Sequence, residues 1–422
     1  MITLYPHQAS ALDDTRRFNR VAYYHEMGLG KTFTGAEKIM RLGSKPNLVV
    51  CQKSKIDDWV NHFRDNYQEP KVIDLTKNGA PAKFINSLFW DRKVIGVINY
   101  ELAFRRPELL KLEHFTLMLD ESSMIQNERS KRSKFVLNLH PDNVVLLSGT
   151  PVGGKYEKLW SQMCLLGWKI SKQKFYDQYV NYYYDNSQGF PLMIIKGYKN
   201  VERLKEKMRL YGCHFLKTED VMELPDQVEQ KIMIPASKEY RKFEKTSVVE
   251  VDGRELVGDS TLSELLYKRQ LCGHLNKEKL NAFRDILEST GDRLIVFYNF
   301  NAELDALVKI TRQYTNHISI VNGEKKDMRA YERYGDSVTF IQYQAGAMGL
   351  NLQKANKIVY FTLTQWSELF EQSKKRTHRI GQERPCFYYY LMCRGSIEER
   401  IFKTLKMRRD YTDALYEMEG RR

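Results

Sequence analysis

The chain has 422 residues, 42% of them hydrophobic and 28% charged, with a formal net charge of +14. That length exceeds what one core ordinarily supports, so two or more lobes are expected, and the apolar content excludes a disordered polypeptide. The charge excess favours an anionic partner such as nucleic acid, and no apolar run is long enough for a membrane span. Met1-Ile-Thr-Leu-Tyr-Pro6 lacks a basic-then-apolar leader, which reads as a cytoplasmic protein, nucleoid-associated if the source is a bacterium or phage. The six cysteines contain no Cys-x-x-Cys pair, and Cys272 with His274 lacks the second pair a zinc site needs. Reduced core thiols fit that compartment.

In chain order, residues 1–153 alternate strand-like and helix-like segments. The strands are Val21–Tyr24, Asn47–Cys51, Val94–Ile98, Phe115–Leu119 and Val144–Leu147, with Phe33–Leu42 among the helices. Residues 154–278 turn helical, aromatic and charged. Phe175–Tyr179 and Tyr182–Tyr184 lie here, then a helix over Val201–Leu210. Leu224–Pro235 reads as an extended crossing between lobes, and Ser237–Leu271 as a further helical segment. Residues 279–422 return to strands at Leu294–Tyr298, Ile318–Val321, Val338–Ile341 and Lys357–Phe361, with Phe387–Met392 closing the sheet. Near-continuous apolar strands between helices predict an α/β chain with two parallel sheets, each covered on both faces.

His25-Glu-Met27-Gly28-Leu29-Gly30-Lys31-Thr32 joins a strand to a helix. Such a loop aims backbone N–H groups and a helix N-terminus at one point, where a polyphosphate can sit. Lys31 would reach the β- and γ-phosphates and the Thr32 hydroxyl would ligate Mg²⁺. The full pattern asks for Gly at position 25, where this chain has His. Leu117-Met-Leu-Asp120-Glu121 is an apolar strand ending in two acids, the first suited to Mg²⁺ and the second to polarising a water. Leu146-Leu-Ser148-Gly-Thr150-Pro151 ends another strand in hydroxyls that could bond the acid pair. Gln372–Gln382 is dense in donors and reads as helical, with Arg376 and Arg379 at i, i+3 on one face as arginine fingers.

Taken in order, these motifs resemble the superfamily 2 helicase-fold ATPases, and within them the SNF2-type DNA translocases. Tyr5-Pro-His-Gln8 is similar to the family's Gln motif, Glu26–Thr32 to motif I, and Val49–Trp59 to motif Ia. Asp120–Asn127 stands at motif II and Leu146–Pro151 at motif III. Phe215–Pro225 resembles the segment leading to the second lobe, and Ile295–Phe300 motif IV. Gln344-Ala-Gly-Ala-Met-Gly349-Leu-Asn351-Leu looks like motif V, Gln372–Gln382 like motif VI, and Ser396–Ile401 like the closing helix.

The resemblance implies two tandem RecA-like lobes with ATP and Mg²⁺ bound between them. Lobe 1 would be residues 1–153 and lobe 2 residues 279–422, with insertions and the crossing segment at 154–278. Gln8 would sit on adenine; Met27, Gly28, Leu29, Gly30, Lys31, Thr32, Gly349, Arg376 and Arg379 would hold the nucleotide. Thr32 and Asp120 would hold Mg²⁺, Glu121 would act as base, and Lys53, Ser54, Asn99, Tyr100, Gln344 and Asn351 would touch DNA. The implied activity is movement along double-stranded DNA without strand separation. A strand-separating helicase on DNA or RNA and a nucleotide-gated DNA clamp stay open. So does a nuclease, methyltransferase or repair partner to a compact monomeric engine. Three departures stand out: His25 replaces the usual Asp, Ser122-Ser123 replaces Ala-His or Gly-His, and Trp366-Ser-Glu replaces Trp-Asn-Pro.

Overall fold

The computed structural model describes residues 3–86, 93–186, 191–346, 350–379 and 381–416, in two compact units, the second of them Glu223–Asp410. In the first, α1 (Pro6–Asp14) leads to β1 (Arg20–His25), α2 (Lys31–Leu42), β2 (Pro46–Cys51) and α3 (Ile56–Asn66). Next come β3 (Lys71–Asp74), α4 (Ala80–Asn86), β4 (Val94–Asn99), α5 (Tyr100–Ala103), β5 (Thr116–Asp120), α6 (Lys131–Leu137) and β6 (Asn143–Ser148). The unit finishes with α7 (Trp160–Leu165), α8 (Lys172–Tyr179), β7 (Val180–Asp185), β8 (Leu192–Tyr198), α9 (Val201–Leu210) and β9 (Cys213–Leu216).

Seven strands make one wholly parallel sheet in the order β3-β4-β2-β5-β6-β1-β9. Every residue of β4 and β6 is buried, as a sheet covered on both faces requires. Successive side chains serve opposite cores: Leu117 and Leu119 pack with Leu146 and Phe115, Met118 with Val49 and Leu147. Gly35 lets α2 lie close on the sheet, since a Cβ there would come within 2.7 Å of Leu147 Cδ1.

The second unit opens with β10 (Gln227–Ile234), α10 (Lys238–Thr246), β11 (Val248–Val251), β12 (Arg254–Val257), α11 (Thr261–Cys272) and α12 (Lys277–Glu288). It continues with β13 (Leu294–Tyr298), α13 (Asn301–Thr311), β14 (Ile318–Val321), β15 (Lys326–Asp327), α14 (Arg329–Arg333) and β16 (Val338–Gln342). Then follow α15 (Tyr343–Gly346), β17 (Lys357–Tyr360), α16 (Ser367–Lys374), β18 (Cys386–Cys393) and α17 (Ile397–Tyr416). Its sheet runs β10-β18-β17-β13-β16-β14-β15, parallel except for the β14–β15 pair. The α/β expectation of two RecA-like parallel-sheet lobes is met.

Several local expectations are corrected. Leu224–Pro235 is no bare crossing: β10 occupies most of it and pairs with β18, so Phe387–Met392 lies one strand in from the edge. The segment Ser237–Leu271 is not continuously helical, because the β11–β12 hairpin interrupts it. Asp252 and Gly253 take φ of 50° and 75° at the hairpin tip, the left-handed pair a tight turn demands, and Asp-Gly signals that turn. Tyr182–Tyr184 lies in the β7–β8 hairpin.

In the second unit Lys279 Nζ meets Glu398 Oε1 at 2.6 Å, with both side chains buried. The pair ties the start of α12 to the start of α17, and burial opposes the Lys279 charge while Glu398 first among its neighbours restores it, leaving the ammonium raised. Glu398→Ala strands that ammonium in a dry interior. It should lower stability by about 3–5 kcal/mol. An unchanged urea midpoint would show that the pair contributes nothing.

Candidate nucleotide site and nucleic-acid surface

The loop after β1 turns on Gly28 and Gly30, with φ of 94° and 70°. These left-handed positions suit glycine, and Gly30 becomes the N-cap of α2 with no side chain closing that helix end. Lys31 Nζ donates to the carbonyl oxygens of His25 at 2.9 Å and Glu26 at 3.1 Å. The lysine thus folds back over its own loop, within reach of anything seated at the helix N-terminus. Gln8 is buried behind the loop and donates to Leu29 O at 3.2 Å, while its Oε1 accepts from Tyr5 N. A Cβ at Gly30 would fall 2.2 Å from Gln8 Nε2, so this packing needs glycine.

His25 explains why the departure from the usual pattern is tolerated. Only its carbonyl meets Lys31; the ring is buried and lies 2.9 Å (Nε2) from His214 Nδ1 on β9. Burial, then the neighbouring His214 and Lys31, holds this imidazole well below its usual range, so it is neutral.

At the end of β5, Asp120 Oδ2 accepts from the Trp59 indole at 2.8 Å. Glu121 takes φ 55° and ψ 61°, a left-handed conformation that is costly outside glycine and typical of functional sites. Its Oε1 accepts from Ser148 Oγ at 3.0 Å and Ser123 Oγ at 2.9 Å. The expected bond between Ser148 and the acid pair is therefore present, and Thr150 gives its backbone N–H to Ser148 Oγ at 3.2 Å. Burial raises both carboxyls above the ordinary range; Trp59, and then Lys31, counters it at Asp120, and Lys31 counters it most at Glu121. A cation beside Asp120 would remove that cost, so this donor set fits a hard divalent ion.

Trp59, Ser123 and Gln162 received no role from sequence reasoning. Gln162 is fully buried on α7, accepts from Tyr24 OH and Ser122 Oγ, and donates to Pro151 O at 2.8 Å. No motif surrounds Gln162, and nothing in the sequence pairs it with position 122.

Of the proposed DNA contacts, Lys53 and Ser54 are exposed on a 3-10 turn beyond β2. Asn99 and Tyr100 are corrected: both are buried, and Tyr100 OH braces the Asp120 carbonyl at 3.0 Å. Side chains buried this deeply do not reach a DNA backbone. In the second unit Gln344 and Asn351 are exposed, and Asn351 Oδ1 accepts from Arg379 Nη1 at 2.6 Å. Gly349 falls outside the described residues.

The helical reading of motif VI is also corrected. α16 stops at Lys374, and Arg376 and Arg379 lie on the turns beyond it, not on one helix face. Gln382 holds this loop, donating to Gln353 O at 3.1 Å and Ala355 O at 2.9 Å. Trp366, 63% exposed, borders a cleft of about 150 Å³ lined also by Arg269, Asn299, Phe300 and Gln344.

A glycine-turned phosphate loop beside two half-buried acids at a parallel-strand end defines a nucleotide-binding α/β protein of the phosphate-loop class. Residues 22–277 match the SNF2-related domain model and residues 278–381 the helicase conserved C-terminal domain. The chain belongs to the SNF2-related family of helicase-fold ATPases.

It is 26% identical over 435 residues to the mouse (Mus musculus) SWI/SNF-related matrix-associated actin-dependent regulator of chromatin subfamily A member 1, covering 91% of this chain and 40% of the relative. With the transcription regulatory protein SNF2 of Saccharomyces cerevisiae it shares 23% identity, covering 90% of this chain and 25% of the relative. The chain thus spans about two-fifths of the first of these and a quarter of the second. The solved Sulfolobus solfataricus SWI2/SNF2 ATPase core in complex with dsDNA aligns at TM-score 0.46 and 21% identity, covering 99% of this chain and 94% of that one. Among the described residues no helix is long and apolar enough to cross a membrane.

The raised Glu121 pKa carries a sign for stability. Folding disfavours its charged form, so stability falls as pH rises from the unfolded carboxyl value through the folded one, and the penalty persists above. Without nucleotide, Glu121→Gln should melt roughly 2–4 °C higher than the parent at neutral pH, the gap closing towards acid pH. A lower melting temperature would show that the carboxylate stabilises the fold.

Proposed function

We propose that this chain is an ATP-dependent translocase on double-stranded DNA, hydrolysing Mg-ATP and moving along the duplex without separating its strands. The observation that carries this reading is Lys31 and the Asp120–Glu121 pair gathered at the ends of the two strands that flank β6, in a family member whose second unit bears Arg376 and Arg379. The polyphosphate takes the uncapped N-terminus of α2, where the helix dipole and loop N–H groups favour negative charge. Lys31 leaves the His25 and Glu26 carbonyls for the phosphates, and Gln8, bonded to the loop carbonyls, carries the adenine edge beside Tyr5.

Thr32 and Asp120 would hold Mg²⁺, whose charge would offset that of the phosphates. Trp59 fixes the Asp120 carboxylate by donating to its Oδ2. Glu121 orients and polarises the attacking water, and Arg376 and Arg379 meet the charge of the transition state. Burial disfavours the Arg379 charge.

Lys53, Ser54, Gln344 and Asn351 are assigned to the DNA backbone and Trp366 to its groove. The net charge of +14 supports sequence-independent binding. Phosphate contacts of this kind lose affinity steeply with salt, log K falling by about 0.9 per contact per decade.

Lys31→Ala should abolish turnover, and Glu121→Gln should bind ATP without hydrolysing it. Arg379→Ala should keep nucleotide affinity and lose DNA-stimulated rate by about 10³-fold, because a finger acts in the transition state. Arg379→Ala at full activity would remove that residue from the site. Triplex displacement without forked-duplex unwinding is the expected readout of movement, and robust unwinding without displacement would reverse the reading.

A further inference from the structure

Ser122 and Ser123 stand where sequence comparison expected Ala-His or Gly-His, and the structure gives the two hydroxyls separate tasks. Ser122 Oγ donates to Gln162 Oε1 at 2.8 Å, and Gln162 is held in turn by Tyr24 OH at 2.9 Å and the Pro151 carbonyl at 2.8 Å. Ser122, Ser123, Ser148 and Gln162 are all buried, so the backbone after Glu121 is anchored to β1 and to the loop beyond β6. With that backbone fixed and Glu121 in its left-handed conformation, Ser123 Oγ turns back to Glu121 Oε1 at 2.9 Å. Ser148 reaches the same oxygen at 3.0 Å from the neighbouring strand. Both donors converge on Oε1, and Oε2 accepts no hydrogen bond among the described residues.

We infer that Ser123 is a positioning residue for hydrolysis: with Ser148 it clamps Oε1 of Glu121, so that Oε2 alone faces the attacking water. The inference rests on Glu121 being the group that orients this water. The clamp fixes the carboxylate's rotation, because both hydroxyl donors hold the same oxygen from two different strand ends.

The test is the steady-state kinetics of ATP hydrolysis by the full chain at saturating duplex DNA, for the parent, Ser123→Ala, Ser123→Thr and Glu121→Gln. Ser123→Ala should lose about tenfold in kcat and keep its KM for ATP within about twofold. Ser123→Thr retains the hydroxyl and should restore the rate. A Ser123→Ala kcat that matches the parent would overturn the inference. So would equal losses in Ser123→Ala and Ser123→Thr, since the hydroxyl would then contribute nothing. Glu121→Gln separates the two levels: if it hydrolyses ATP like the parent, the reading of Glu121 fails, whereas if it is inactive and Ser123→Ala is normal, only the clamp fails.

Discussion

Everything in the first unit is arranged around one unfavourable act: holding two half-buried carboxylates side by side at the end of β5. Burial raises both, and the attraction of Lys31 is the main charge that opposes it at Glu121. Asp120 leans on Trp59 and Glu121 on two serine hydroxyls, so each acid has a neutral side-chain donor on one oxygen. Such a site is not at its stability optimum, and the left-handed Glu121 backbone adds strain to it. Strain and desolvation of this kind persist where binding a metal phosphate relieves them.

The sheet order makes the gathering possible. β2, β5, β6 and β1 are consecutive neighbours, all parallel. The exposed turn at Lys53, the acid pair, Ser148 and the phosphate loop therefore emerge from the same carboxyl edge, where α/β sheets bind ligands. β9 completes the arrangement from the outside: Glu26 N donates to Leu216 O at 2.9 Å, and Thr218 N reaches Glu26 Oε2 at 3.1 Å. The same strand supplies His214 to the buried ring of His25, which ties the loop's entrance to the sheet without using a phosphate ligand.

Much of this was legible in the sequence because it is carried by short local patterns. The phosphate loop needs glycines at fixed offsets, and an apolar strand ending in Asp120-Glu121 announces itself. The hydroxyl of Ser148 was foreseen to meet the acids for the same reason. What escaped depends on tertiary approach. Gln162 sits on a helix with no motif, 40 positions from its partner Ser122. β10 alternates too weakly to look like a strand, being exposed along most of its length as an edge. In motif VI the charge spacing resembled a helix face, yet the Gln382 carboxamide and the Leu352 N–H to Arg376 O contact hold those residues as a loop. Asn99 and Tyr100 looked like surface contacts because polarity alone does not reveal that a tyrosine is spent bracing a strand end.

That one bound species bridges Lys31 and Asp120 is the claim on which the account stands. A double-mutant cycle on Mg-ATP affinity, measured by equilibrium titration of the parent, Lys31→Ala, Asp120→Asn and the double variant, tests it most directly. Groups acting on the same metal phosphate should be non-additive by about 1 kcal/mol or more. Strictly additive losses, or an Asp120→Asn variant that binds Mg-ATP as tightly as the parent, would contradict it.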